Sequence, residues 1–545
     1  MALKTKIAAF NALSTTHPDD TALLQHSTLQ AIARHLPIAL ILLLATVLFT
    51  FKIGDEGLWL DELNSLRDIT ERTPWQLLSS PVRPLYYLIM MGWIQTGTSD
   101  AWLRLPSVFF AVISVYLLYS LGAQLLGKRE GLIAALMLTL SPIVVNHAQE
   151  IRMYTLSLCL TLAGTVCLAK ALIDSSEQTK LRDRDTQLSQ SDQSPKAILL
   201  FGWVSFRLLS MYTVPLNVLL LAPDALVILT RFWRQRAVLV SFAKWMLLLG
   251  ALWLPAIFAV AVAAAPDSGY AQDHSGQVPP GAAEVVRLLK FFTVWPFRVQ
   301  ENAAIALFYK VFTLLVMGLA GAGIIRKHKS PHLFWIGAWC VLPILPIVVF
   351  SYTVMPVWRP RYLLFVIPYL FLLLASGLVR LWKSWRASAA VIAAVYIVAA
   401  SGGLFHHYTV QERSDYKFNV ATIEQYEQPG DGLVWSYECC KRGLHRYYQG
   451  EMEPQFNSVA TIKSVEDIPR WIEQFPADKD RLWLVLDNLI KDKERIISEL
   501  ANVYSIEQTF DYEQGSKVML LTPLGKATAN TATQDPAPVS SALTR

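Results

Sequence analysis

The sequence predicts an α-helical membrane protein of many spans with a small α/β domain at its C-terminal end. Three observations carry that reading. Of the 545 residues, 53% are hydrophobic and only 17% charged, against about a quarter charged in ordinary soluble chains, and mean hydropathy is +0.36. The apolar residues gather into blocks of roughly 16–25, the length a helix needs to cross about 30 Å of hydrocarbon. From about residue 405 the composition turns to that of a soluble protein. Backbone N–H and C=O groups in lipid must pair within their own segment, so the apolar blocks are helices.

Eleven spans are expected, near 36–53, 104–125, 131–147, 154–173, 196–210, 213–230, 238–262, 304–324, 333–350, 361–380 and 387–404. The first block has no small-residue cleavage site and reads as a signal anchor. Basic tracts at Lys128-Arg129, Lys180 to Arg184, Arg231 to Arg236, Arg326 to Lys329 and Arg380 to Arg386 alternate with base-poor loops. The positive-inside rule puts the basic set and the N-terminus in the cytoplasm, and eleven spans then leave the C-terminal domain outside a plasma (inner) membrane. Segment 84–97 is too short to span without breaking the alternation, and its aromatic residues suit a helix at the interface.

The resulting division is a cytoplasmic segment 1–35, a membrane domain 36–404, an extracytoplasmic α/β domain 405–524 and a disordered tail 525–545. Strands are expected at 431–437, 482–487 and 517–522, and helices at 417–428, 465–475 and 491–503. The polar loop 174–195 is expected to be disordered, and 263–303 to form a mobile outer flap. Cys159, Cys167 and Cys340 lie in apolar blocks as small core residues. Cys439 and Cys440 are neighbours, and a disulfide between them is not expected.

The chemistry-bearing residues fall in the outer loops. Asp61 and Glu62 follow the first span by about eight residues. A carboxylate there can accept a proton from an acceptor hydroxyl; it can equally cap a helix. On a helix the two point different ways, so at most one need face a site. Arg83, Arg152, Arg359 and Arg361 share the outer side, where guanidinium forks suit a phosphate or lipid headgroups. Glu150 lies two residues from Arg152, and Tyr86, Tyr154 and Tyr362 sit beside the arginine-bearing segments, as belt anchors or as hydrogen-bond partners for sugar or phosphate. There is no P-loop, no dinucleotide fingerprint and no His/Cys cluster with metal spacing, and the net charge of +6, spread around the spans, does not point to nucleic acid. An enzyme of this shape facing outward has no nucleotide-sugar supply, so its activated substrate would arrive through the membrane as a lipid phosphate.

Trp59-Leu60-Asp61-Glu62, Arg83-Pro84-Leu85-Tyr86-Tyr87, Arg104-Leu105-Pro106-Ser107, Ser141-Pro142, Gln149-Glu150-Ile151-Arg152-Met153-Tyr154 and Arg359-Pro360-Arg361-Tyr362-Leu363-Leu364 follow one another in order. This pattern resembles the membrane glycosyltransferases of the GT-C fold. Within them it resembles the bacterial branch of the protein O-mannosyltransferases (glycosyltransferase family 39), which is similar to the aminoarabinose transferases of lipid A. The resemblance covers roughly 36–380 and is most specific over 55–155. It implies a polyprenyl-phosphate monosaccharide donor, an acceptor that is a protein, lipid or glycan, Asp61 as first choice for the base, arginines on the donor phosphate, and inversion in one displacement. Many relatives carry His or Lys before two prolines where Arg83-Pro84 stands here. Some enzymes of the fold use a divalent metal ion, but no metal site is legible in this sequence.

Three other functions remain open from sequence: a flippase or transporter for a lipid-linked glycan, a polysaccharide polymerase or ligase, and an adhesive or assembly module formed by the C-terminal domain with the spans as its anchor. A flippase needs ionisable residues in mid-span, and here the apolar blocks hold few charges; Arg207 and Asp224 stand out, both near span ends or a short turn.

Overall fold

The computed structural model describes residues 35–78, 84–182, 197–263, 279–295, 302–325, 331–353, 358–411, 413, 416–436, 441–459, 462, 464, 466–487, 490, 492–512 and 515–524. Arg83, the Cys439-Cys440 pair and the tail 525–545 lie outside them.

Each of the eleven apolar blocks is helical. Among the described residues eight helices are long and apolar enough to cross a membrane, nine if one bent pair counts as a single span, and His35–Thr50 and Ala197–Thr213 are shorter apolar helices. This is a multi-pass membrane protein. Helix α1 (His35–Thr50) leads into a loop and three short helices, α2 (Leu60–Glu71), α3 (Pro74–Leu78) and α4 (Pro84–Trp93). Helix α4, at ten residues, cannot span; it packs against α2. Ser99 then caps α5 (Asp100–Leu125), its hydroxyl accepting from the Trp102 N–H, as N-cap serines do.

The expected span 131–147 is two helices, α6 (Lys128–Thr139) and α7 (Pro142–Ala148), bent by 63°. Ser141-Pro142 explains the break: a proline disfavours helical backbone in the residue before it and starts a new helix at its own first position. Helices α5 and α6 meet through glycines, since a Cβ on Gly122 would lie 2.6 Å from the Gly131 Cα. Small residues allow that close backbone approach where lipid supplies no hydrophobic drive.

Helix α8 (Tyr154–Arg182) runs further than the expected span; of the stretch read as disordered, 183–195 lies outside the described residues. Next come α9 (Ala197–Thr213), α10 (Leu221–Phe232) and α11 (Arg236–Ala263). The expected flap 263–303 contains a helix, α12 (Ala282–Val294), whose apolar residues recur at helical spacing; 264–278 and 296–301 lie outside the described residues. The chain continues through α13 (Ala303–Ile325), α14 (Pro331–Val341), α15 (Ile344–Thr353), a 3-10 turn at Pro360–Val366, α16 (Ile367–Ser384) and α17 (Arg386–Thr409).

Arg207 and Asp224 are fully buried and paired, Nε to Oδ2 at 2.8 Å and Nη2 to Oδ1 at 3.0 Å. The indoles of Trp203 and Trp339 each donate to Asp224, at 2.9 and 2.8 Å. Arg207 also donates to Thr161 O and Thr165 Oγ1, at 2.7 and 2.8 Å. These two charges therefore neutralise each other inside a satisfied cluster that ties α8, α9, α10 and α14 together.

The C-terminal domain is a five-stranded sheet of order β2-β1-β3-β5-β4. Strands β1 (Gly432–Trp435) and β3 (Leu482–Leu486) are buried throughout and match the apolar runs in the sequence, as does β5 (Lys517–Pro523). β1 pairs in parallel with β2 (Pro454–Phe456) and with β3; β5 runs antiparallel to β3 and to β4 (Tyr504–Asp511). The edge strands β2 and β4 were not expected, because neither carries a continuous apolar run. Helices α18 (Tyr416–Tyr426), α20 (Asp467–Ile472) and α21 (Lys493–Leu500) lie where helices were read; α19 (Lys441–Tyr447) was not read.

The domain docks through α19. Arg446 Nε lies 3.0 Å from Asp100 Oδ1. The Tyr447 hydroxyl donates to Asp100 Oδ2 at 2.7 Å and accepts from the Leu58 N–H at 2.7 Å. Arg442 donates to Asn64 Oδ1 at 2.8 Å. The sheet domain therefore grips the start of α2, which carries Asp61, and the loop that leads into it.

Candidate active site

Arg104, on α5, organises this loop. All five of its N–H donors are used: Nη1 to Ile53 O and Glu56 O at 2.7 and 2.9 Å, Nη2 to Gly57 O and Glu62 Oε2 at 3.0 and 2.7 Å, and Nε to Glu62 Oε1 at 2.9 Å. Glu62 is fully buried and also accepts from the Ile151 N–H at 2.9 Å and the Trp59 N–H at 3.3 Å. Glu62 thus joins α2, α5 and the loop 149–153, and its lone pairs are committed.

Asp61 is one residue earlier and about 100° round the helix. Its side chain keeps 28% exposure, and Oδ2 lies 3.4 Å from Arg152 Nη2 and 3.5 Å from Arg361 Nη1. Both contacts are long for charge-assisted hydrogen bonds. Arg152 is 4% exposed. It donates to Asp61 O and Ser65 Oγ, each at 3.3 Å, and lies 5.9 Å from the Tyr154 ring centre, while its Nε is buried without a hydrogen-bond partner among the described residues. Arg361 comes from the 3-10 turn before α16 and sits over Tyr362. Three elements far apart in sequence therefore bring two cations to one carboxylate.

Glu150 is 2% exposed. It accepts from Asn146 Nδ2 at 2.9 Å, His147 Nδ1 at 2.7 Å and Arg413 Nη2 at 2.5 Å. Burial pushes its carboxyl up, but His147, Arg413 and Arg152 outweigh that and hold it well below the usual carboxylate range. Ser107 donates to Glu150 O at 2.6 Å, fixing the loop to α5. Beside this cluster lies a cavity of about 250 Å³ whose lining includes Trp59, His147, Glu150, Arg361, His407 and Arg413.

Of the residues singled out in the sequence, Asp61, Arg152 and Arg361 converge, with Tyr154 and Tyr362 against the two arginines. Arg359 is the N-cap of the 3-10 turn, with extended backbone. Tyr86 is fully buried beneath, and burial pushes its phenol up. Three participants carried no reading in the sequence, Asn146, His147 and Arg413, and Arg104 was read only as part of the family pattern, with no role of its own. His147 was detectable one helical turn before Glu150. Arg413 was not, because it reaches Glu150 from the linker ahead of the sheet domain, 263 residues away. Among the described residues, no three His, Cys, Asp or Glu side chains gather as a metal set.

Solved structures share this architecture. ArnT from Cupriavidus metallidurans in the apo state superposes with a TM-score of 0.51 at 13% identity, covering 89% of this chain and 97% of that one. The same protein bound to undecaprenyl phosphate gives 0.50 at 13% identity, covering 91% and 99%. The chain has the GT-C fold. No curated protein matches it by sequence. Residues 81–181 match the family model for dolichyl-phosphate-mannose-protein mannosyltransferase. In GT-C terms that match holds Tyr86, Arg104, Glu150, Arg152 and Tyr154, and it agrees with the resemblance drawn from the motifs.

Proposed function

We propose that the protein is a glycosyltransferase that moves one sugar from a polyprenyl-phosphate donor to an acceptor hydroxyl on the extracytoplasmic side, with inversion. The observation that carries the reading is the accessible carboxylate of Asp61 held between Arg152 and Arg361 at 3.4 and 3.5 Å, with Arg361 in the wall of a cavity. The GT-C fold and the undecaprenyl phosphate in the similar ArnT structure support it.

In the resting site the two guanidinium groups lean on Asp61. A donor phosphate is the better partner for two arginines. When it binds, the arginines turn to it and Asp61 is released. The acceptor oxygen then bonds to the anomeric carbon while the bond from that carbon to the phosphate oxygen breaks. The acceptor proton passes to Asp61, and polyprenyl phosphate leaves with its charge held by Arg152 and Arg361. Glu62 does not touch the reacting atoms; it fixes Asp61 through Arg104. Some GT-C enzymes use a divalent ion, but the residues described do not form a set for one, and no step here uses it.

The test is direct. Purified protein in nanodiscs, given a labelled polyprenyl-phosphate sugar and cell-envelope acceptors, should release polyprenyl phosphate and label the acceptor. Movement of the intact donor between leaflets, with no cleavage, would instead indicate a flippase.

A further inference from the structure

Two carboxylates flank the Arg152 guanidinium. Asp61 Oδ2 lies 3.4 Å from its Nη2. Glu150, two residues away and 2% exposed, attracts the same cation. An arginine held by a carboxylate is less available to a phosphate, since both ask for the same fork of N–H donors. Arg152 stays clear of Glu150 because the oxygens of Glu150 are taken. Oε1 accepts from Asn146 Nδ2 at 2.9 Å and from Arg413 Nη2 at 2.5 Å, and Oε2 faces His147 Nδ1 at 2.7 Å. Of these three partners only Arg413 is a permanent cation.

Arg413 comes from the linker between α17 and α18, and the chain is anchored on both sides of it. Before it, the Gln149 amide donates to Phe49 O and Phe51 O at 3.2 and 2.7 Å and its oxygen accepts from His407 Nε2 at 3.0 Å. Lys52 Nζ donates to Tyr408 O at 3.2 Å. After it, Lys417 Nζ donates to Gly54 O at 3.3 Å and the Tyr447 hydroxyl to Asp100 Oδ2 at 2.7 Å. The Arg413 guanidinium lies 5.3 Å from the ring centre of Trp59, the residue that opens α2. Docking of the soluble domain thus brings one cation to a buried carboxylate of the membrane domain. Without it the Glu150 charge would lose its ion-pair partner, and Arg152 would be drawn over to replace it.

We infer that Arg413 is a positioning residue: held in place by the docked C-terminal domain, it neutralises Glu150 and so leaves the Arg152 guanidinium free for the phosphate of the lipid donor. The inference rests on the reading of Arg152 as a phosphate ligand and gives the soluble domain a part in that site.

The experiment measures binding of undecaprenyl phosphate to the full chain in nanodiscs, with undecaprenol, which has the tail and no phosphate, as the control. Arg413→Gln should bind undecaprenyl phosphate about tenfold more weakly, the worth of roughly one charged hydrogen bond, and undecaprenol as the wild type does. Arg413→Lys, which keeps the charge, should recover most of the loss. Adding Glu150→Gln to Arg413→Gln should restore the affinity. On an Arg152→Gln background Arg413→Gln should add nothing, because residues that act through one interaction are not additive. Equal affinity of Arg413→Gln and wild type overturns the inference. So does a loss that Glu150→Gln fails to restore or that persists without Arg152, which would put Arg413 on the phosphate itself. An equal loss on undecaprenol also overturns it and makes the role structural. Each of these results leaves glycosyl transfer standing. A wild type that binds undecaprenyl phosphate no better than undecaprenol removes the donor site, and the inference falls with it. If Arg413→Gln does not fold, Glu150→Gln alone decides: it should bind undecaprenyl phosphate more tightly than the wild type, and equal or weaker binding overturns the inference.

Discussion

Replacing the adjacent carboxylates Asp61 and Glu62 one at a time should give opposite defects. In Glu62→Gln the shape is kept, but an amide N–H₂ faces donors of Arg104 that lie 2.9 and 2.7 Å from the carboxylate oxygens. The Arg104 charge stays buried with only the carbonyls of Ile53, Glu56 and Gly57 around it. Breaking a buried pair by removing one partner costs about 3–5 kcal/mol. Asp61→Asn loses two contacts of 3.4 and 3.5 Å from a side chain that is 28% exposed, and pairs of that kind contribute less than about 1 kcal/mol. The gap of at least about 2 kcal/mol is about thirtyfold in the unfolding equilibrium. Thermal denaturation in detergent, read alongside sugar transfer, measures both. Glu62→Gln should be markedly less stable and lose activity in step with folded protein. Asp61→Asn should be as stable as the wild type and inactive. A stable but inactive Glu62→Gln would refute the structural assignment, and an unfolded Asp61→Asn would refute the division of labour between the two.

Three further outcomes follow from the geometry. Arg207→Met alone strands Asp224 among buried indoles and should cost about 3–5 kcal/mol, while the double change with Asp224→Leu should recover most of it; equal melting of all three proteins would contradict this. Tyr447→Phe leaves the Leu58 N–H without its acceptor and should cost about 1 kcal/mol, with faster proteolysis of the loop before Asp61 as the readout. Glu150 is held below the usual carboxylate range, so it adds stability above that range and loses it as pH falls beneath it; Glu150→Gln should flatten this part of the acid denaturation profile.

The spans were legible because hydropathy and charge alternation are local properties of the chain. The bend at Ser141-Pro142 was written in the sequence but not read, since a 17-residue apolar block is also long enough to be one straight helix. The central strands β1, β3 and β5 announced themselves as apolar runs; β2 and β4 did not, because half-exposed edge strands lack that signal. Within the candidate site, the residues by themselves marked Asp61 and Glu62 alike, and only the resemblance put Asp61 first. Only the rotation of α2 relative to Arg104 separates a buried brace from an accessible carboxylate. The convergence of Arg152 with Arg361, and the arrival of Arg413 at Glu150, depend on long-range packing that spacing does not encode. His147 was missed for another reason: its place three residues before Glu150 was there to see, but it gains meaning only once that carboxylate is known to be buried and to need partners.

The central claim is that Asp61 takes the acceptor proton while Arg152 and Arg361 hold the donor phosphate. Donor binding and single-turnover transfer, measured on the same nanodisc samples of wild type and Asp61→Asn, test it most directly. The account predicts that Asp61→Asn binds the polyprenyl-phosphate sugar at least as tightly as the wild type, since its arginines no longer lean on a carboxylate, yet releases no polyprenyl phosphate. Turnover at the wild-type rate in that variant would contradict it.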